Sequence, residues 1–447
     1  MEVPRIKELG EIWKFPGYKN WGEYGSSPDI RTGKGMEELS MDGLVIGLDL
    51  NDDYTQICCY DKEKSWTIPT VICRRKEEET WLSGEEAYAA TLLGEGIIVD
   101  KLLKLAAKDG TSTIGGICYS GSTLLKLFIQ KMLEYPKKEF GKDRIWQLVI
   151  TLSDVDARLL DILMYCADFL EIPRERVHVI SHTESFIYYV LSQKKELWTN
   201  QVGLFELSSE RLCYYEMKVI RGMRRNMVQA EAQNQEEAFN LDILDSPSGS
   251  KLADKILCSC GEKLLGRKLF STVFLTGKGF ERQNWAGGFM RFACNRRKVF
   301  VEEYLFARGA AYKGADYTHD ATSYPYIFVC EGRLRAEVAL RVMRRGRESS
   351  LVVASYGDNW YESKSSLDLI VDGQSEIEFT ITPLDSKKRK LVRVPLSGFP
   401  DRPPRTTRVG LKVGFTNEET MMMVIEDKGF GELFPASGAV VRQEVSL

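Results

Sequence analysis

Two periodicities share this chain, and the place where one gives way to the other limits what it can fold into. From residue 43 to about 317, short apolar runs alternate with helical patterns. "LVIGLDL" and "TQICCYD" read as strands joined by a polar turn, and "SWTIPTVICRR" as a third. "RIWQLVITL", "RVHVI", "QVGLFEL", "LCYYEMKVI" and "STVFLTGKGF" read as further strands. Between them "SGEEAYAATLL" puts Ser83 where a helix cap belongs, with Glu85 and Glu86 in the first turn. "STLLKLFIQKMLEY" sets residues 124, 125, 128, 132 and 133 on one helical face, and Val155, Leu159, Ile162, Leu163, Cys166 and Leu170 repeat the period before Pro173. "ESFIYYVLSQ", "KLADKILCSCGEKLLG" and "VEEYLFARGAAYKGA" complete the helices, the last with small residues where something packs closely. This alternation predicts an α/β domain with mixed sheets over residues 43–317.

"YTHDATSYPY" then predicts a linker, placed at residues 318–326. Beyond it the period is two. "RLRAEVALRVM" puts Leu334, Ala336, Val338, Leu340 and Val342 on one face, and "SLDLIVDG", "EIEFTITPL", "KLVRVPL", "TRVGLKVGF" and "TMMMVIEDKG" follow. Short strands separated by turn residues predict an all-β sandwich over residues 327–447. Met421, Met422 and Met423 read as strand filling. Residues 1–41 are polar and aperiodic and read as an N-terminal extension.

A net charge of −3 gives no bulk electrostatic reason to expect nucleic acid or an anionic membrane as partner. No apolar run reaches the length of a membrane span, and "MEVPRIKELGEIWKFPGYKN" lacks the apolar core of a secretion signal. The expectation is a cytoplasmic protein whose ten cysteines, mostly set in apolar patterns, are reduced. Cys258 and Cys260 offer a metal or redox pair, but on a helical pattern with no second pair or histidine at ligand spacing. Three histidines, His178, His182 and His319, exclude a histidine-rich metal site.

The order of the segments resembles the actin-like ATPase superfamily and, within it, the DnaK-type heat-shock chaperones. "VIGLDLNDDYTQICCYD" stands where those proteins have their first phosphate-binding hairpin, and "VGLFELSSERLCYYEM" where they have the second. "SWTIPTVICRRKEEETWLSGEEA" and "WQLVITLSDVDARLLDILMYCADFLEI" are similar to their next strands and connecting helix. "VHVISHTESFIYYVLSQ" takes the place of their second connecting motif. "VFLTGKGF" resembles their adenosine motif and "LFARGAAYKG" the helix after it. "LVRVPLSGFPDRPPRTTRVGLKVGFTNEETMMMVIEDKGFG" is similar to the end of their peptide-binding sandwich. The resemblance spans roughly residues 43–447. It implies a two-lobed, ribonuclease-H-like actin-type domain over 43–317, followed by a sandwich without a helical lid. It also implies a protein or peptide client and a co-chaperone as partners, and ATP or ADP with Mg²⁺ as cofactor.

Residue by residue, the resemblance places Asp49 and Glu206 as metal-holding carboxylates, and Lys101 as the lysine that stabilises the transferring phosphate, with Lys104 competing for that place. It places His182, where the family has a carboxylate, and Glu184 beside the attacking water. Asn51, Asp52, Thr55, Ser208, Ser209, Gly277, Lys278 and Gly279 fall, with Glu206, on the nucleotide-binding positions. The departures are chemical. A phosphate hairpin works through small residues whose backbone N–H groups reach the oxygens. Here the first turn carries Asn51, Asp52 and Asp53, and carboxylates facing a triphosphate repel it unless a metal intervenes. The alternative for Asp52 and Asp53 is a solvated turn of good turn formers. The second turn carries Ser208, Ser209, Glu210 and Arg211 in place of a glycine run, with Arg211 either a phosphate fork or a surface partner of Glu210. His182 is either a water-bonding imidazole or a histidine bonded to backbone. About 65 residues separate this turn from Gly277, so most of the family's helical subdomain is missing or shrunken. The expectation is a degenerate, ATPase-defective interaction module; the alternative is an active Mg-ATP chaperone with a carboxylate-rich site.

Overall fold

The computed structural model describes residues 6–8, 43–76, 80–209, 211–221, 226–235, 241–281, 285–319, 321–344, 346–373, 375–384 and 388–447. Apart from Ile6–Glu8, the N-terminal extension lies outside the described residues. The chain divides between Tyr326 and Ile327 into two compact units, with Ile6–Glu8 counted in the second. Among the described residues no helix is long and apolar enough to cross a membrane.

The first unit holds two mixed sheets. In the first, β1 (Leu44–Leu50) is central, antiparallel to β2 (Tyr54–Cys59), which is antiparallel to β3 (Ser65–Pro69). On its other side β1 pairs in parallel with β4 (Ile145–Leu152), and β4 with β5 (Val177–Ser181). The second sheet repeats this order. Its central β6 (Gln201–Leu207) is antiparallel to β7 (Leu212–Ile220), which pairs antiparallel with β8 (Met227–Gln235). On the far side β6 runs parallel to β9 (Phe270–Thr276), and β9 to β10 (Lys298–Val301). β1 is buried along its whole length, as a strand paired on both sides and covered on both faces must be.

The longer helices are α1 (Gly121–Phe140), α2 (Ala157–Phe169), α3 (His182–Leu191), α4 (Pro247–Leu265) and α5 (Leu305–Asp316). Asp156 caps α2 and Ser181 caps α3 through their side chains, whereas Ser83 stands at the cap of Gly84–Leu92 without a side-chain cap bond. α5 packs on β1, β4 and α3. The close approach uses glycine. A Cβ at Gly47 would collide with the backbone of Ala307 and Ala311, and one at Gly309 with the Ser185 carbonyl. The expected small residues of "LFARGAAYKGA" are where α5 meets its neighbours.

Parallel pairing aligns the C-terminal ends of β1, β4 and β5, which carry Asp49, Thr151 and Ser181; β6 and β9 likewise align Glu206 with Thr276. Turns 51–53 and 208–211 leave from these ends, the positions where α/β sheets present ligand-facing groups.

The second unit is almost entirely β. β11 (Ala336–Arg344), β12 (Arg347–Ala354), β13 (Ser365–Val371), β14 (Glu376–Pro383), β15 (Lys390–Pro395), β16 (Thr407–Asn417), β17 (Thr420–Gly429) and β18 (Val440–Ser446) pair in the order β15-β14-β11-(Ile6–Glu8)-β13-β16-β17-β18, with β12 on β11. Leu334, Ala336, Val338, Leu340 and Val342 are all buried, as their period of two requires. Met421 and Met423 are buried and Met422 is not, which is strand filling.

Candidate functional site

The first turn closes on itself. Asn51 Oδ1 accepts the backbone N–H groups of Asp53 and Tyr54, both at 3.0 Å. An Asx turn of this kind is what Asn does well, and it consumes donors that would otherwise point outward. The Thr55 hydroxyl is paired with that of Thr70 at 2.9 Å, buried between strands. The two aspartates are tied down rather than solvated. Asp52 Oδ1 accepts from the backbone N–H of Leu103 at 2.9 Å and of Lys104 at 3.3 Å. Asp53 accepts from Lys101 Nζ at 2.6 Å through Oδ1, and from the Ser209 hydroxyl through Oδ2. Burial works against the Asp53 charge, but the hydrogen bonds from Lys101 and Ser209 and the charges of Lys101 and Lys278 hold its pKa below the ordinary carboxylate value.

The second turn is closed in the same manner. The Ser208 N–H donates to the Arg211 carbonyl at 3.0 Å, and the Arg211 N–H donates to Ser208 Oγ at 3.2 Å. The charged partner of Arg211 is Asp154, at 3.6 Å. Glu210 lies outside the described residues. Gly277 has a φ of 89°, and a Cβ there would sit 2.6 Å from the Leu207 carbonyl oxygen; one at Gly279 would collide with the Leu207 side chain. Both glycines therefore serve the packing of β9's end against β6's end. Lys278 Nζ lies 5.1 Å from the centre of the Tyr54 ring.

Behind the turns runs a buried polar chain. Asp49 Oδ1 is 2.8 Å from His182 Nε2. His182 Nδ1 is 3.4 Å from the Tyr215 hydroxyl, which donates to Glu206 Oε2 at 2.7 Å. The Phe306 ring stacks on the imidazole, centroids 3.8 Å apart. Burial opposes charging His182, yet the Asp49 carboxylate, and Glu206 further off, carry its pKa above the ordinary imidazole value. As an imidazolium it donates from both nitrogens, and a cation then stands between two carboxylates. The chain crosses from the first sheet (Asp49, and His182 after β5) to the second (Tyr215 on β7, Glu206 on β6). Glu184, two residues on, is charge-paired with Lys313 of α5, and both are fully buried. Lys313 Nζ also lies over the rings of Tyr188 and Tyr317.

Lys101 takes up a left-handed backbone conformation, φ 50°, at the start of Leu102–Ala107. Non-glycine residues adopt that region at a cost of about 1 kcal/mol, so the surroundings hold it there. The conformation precedes the helix capped by Asp52, and its ammonium meets Asp53. Lys104 Nζ reaches Asp52 only at 4.0 Å.

Sequence reasoning missed Tyr215, Thr70 and Lys313. Each sits in an apolar pattern where nothing separates it from ordinary core or strand residues. Several groups on the expected nucleotide-binding positions are bonded within the chain: the N–H groups of Asp53 and Tyr54 to Asn51, the Thr55 hydroxyl to Thr70, Asp49 Oδ1 to His182 and Glu206 Oε2 to Tyr215. Among the described residues no three His, Cys, Asp or Glu side chains converge as metal ligands.

Residues 53–331 match the model described as the C-terminal part of a family of unknown function, DUF5716. Residues 333–447 match a domain of unknown function, DUF8552. No curated protein matches the chain.

Proposed function

The chain belongs to the family of unknown function DUF5716, and from the geometry of its cleft we propose that it is a DnaK-like protein-interaction module, an ATPase in ancestry but not in activity. The observation that carries this reading is Asn51, whose side-chain oxygen accepts the backbone N–H groups of Asp53 and Tyr54 and closes the turn on itself. The repeated strand order of the two sheets supports the actin-like part of the reading, with both turns at strand ends that the same topology generates twice. An active Mg-ATP chaperone needs Asp49 and Glu206 for its metal, and both are engaged by protein groups.

With the cleft closed, function moves to what the protein touches. In the β-rich unit β15 and β18 end the strand order and each pairs with a single strand among the described residues. Such edges accept an extended peptide as an added strand, through backbone hydrogen bonds. The partner on this reading is a client peptide or one fixed protein, taken up without nucleotide control.

Calorimetric titration of the full chain with ATP and with ADP, with and without Mg²⁺, tests the reading. No saturating heat is expected at millimolar nucleotide, which bounds the binding free energy at weaker than about −4 kcal/mol. Saturating, Mg²⁺-dependent heat overturns it.

A further inference from the structure

We propose that Asp53 is a built-in oxyanion: its carboxylate fills an anion locus formed by Lys101 and Ser209, and in filling it fastens the turn of the first sheet to that of the second. This rests on the reading of the cleft as closed to nucleotide, and says what closes it.

Three observations converge on Asp53. Its turn does not need it, because Asn51 already satisfies the local N–H groups and Asp52 serves the neighbouring helix. Its side chain is therefore free to reach across, and it does so to the Ser209 hydroxyl in the turn after β6. The groups that bond it come from two separate segments: Lys101 before Leu102–Ala107, and Ser209 between β6 and β7 of the second sheet. The charge of Lys278, after β9, also favours the carboxylate. An ammonium group and a hydroxyl present a pair of donors, and donors meeting at one point call for an anionic acceptor. The chemical class that satisfies the locus is a small oxyanion, a carboxylate or inorganic phosphate, and the chain supplies its own. His182 likewise links the two sheets, between Asp49 and the Tyr215–Glu206 pair.

Asp53→Ala empties the locus while leaving the Asn51 turn intact. In chloride buffer the variant is expected to melt about 2–4 °C below the wild type. It is also expected to exchange backbone hydrogens faster in β6 and β7. Inorganic phosphate at matched ionic strength is expected to restore part of the loss in Asp53→Ala and to leave the wild type unmoved. Adding Lys101→Ala is expected to abolish the recovery. Equal melting of variant and wild type, or phosphate stabilising both alike, overturns the proposal. If Asp53→Ala does not fold, Asp53→Asn keeps the volume and removes the charge, and wild-type exchange rates in β6 and β7 of that variant overturn it. The nucleotide titration is read on the wild type and the phosphate recovery on the variant. A wild type that binds ATP thus refutes the closed cleft, whereas a variant indifferent to phosphate refutes only the clasp.

Discussion

Asn51 and His182 each satisfy polar groups around them from within the chain. Asn51 accepts the N–H groups of Asp53 and Tyr54; His182 stands between Asp49 and the Tyr215–Glu206 pair. The linkage sign for His182 follows from its raised pKa. Its contribution is full below the ordinary imidazole value of about 6.5 and is lost as the pH rises through the elevated folded value. The melting temperature of the wild type should therefore exceed that of His182→Gln by more at pH 6 than at pH 9. A gap that stays constant or widens with pH would rule out a stabilising imidazolium. The buried Lys313–Glu184 pair makes a second prediction at this scale. Lys313→Met leaves Glu184 buried without its cation and should cost about 3–5 kcal/mol in urea denaturation, most of it recovered by adding Glu184→Gln. An additive double mutant would show that the two side chains act separately. That Asp49 and Glu206 stand at strand ends beside polar turns was legible in the sequence. The bonds of Tyr215 to Glu206, Thr70 to Thr55 and Lys313 to Glu184 were not, because each of those three side chains sits in an apolar pattern that gives it no mark of its own.

At the scale of elements, strands with buried apolar runs were readable and amphipathic or edge strands were not. β1, β4 and β6 read directly as strands. β8 escaped because only Met227, Val228 and Ala230 in it are buried, and its remainder, "EAQNQ", has the composition of a loop. β10 escaped because four partly exposed residues at a sheet edge make no period. Helix α5 was expected to pack closely somewhere, and the partners are the Gly47 segment of β1 and the Ser185 backbone of α3. Gly309→Ala should destabilise the first unit by about 1–3 kcal/mol, because the obstacle is main chain and cannot swing aside. An unchanged denaturation midpoint would mean that α3 and α5 separate at little cost.

At the scale of the molecule, the two units have cores of different texture, and a defect in one should be read in that one. Asp427 is the test in the β-rich unit. Arg402 binds its carboxylate with both Nη atoms at 2.9 Å, and the backbone N–H groups of Gly429 and Ser437 donate to it. Burial opposes the charge, but these donors hold the pKa well below the ordinary carboxylate range. Its stabilisation is therefore present above about pH 4 and is lost as the pH falls through the depressed folded value. Asp427→Asn should lower the β-rich unit's calorimetric transition and leave the α/β unit's in place. The wild type's advantage should shrink between about pH 5 and pH 2. Equal movement of both transitions would show that they unfold as one.

What the sequence by itself determined is where strands and helices alternate, where that alternation ends, and that residues 51–53 and 208–211 carry no glycine. These are local properties, set by periodicity and by which side chains a turn tolerates. Only the tertiary structure decided what the substituted turns do. Asp49 meets His182, and Asp53 meets Ser209 in the turn of the other sheet. Hydrogen bonding between groups more than a hundred residues apart depends on how the sheets are brought together, and a linear reading contains no term for it.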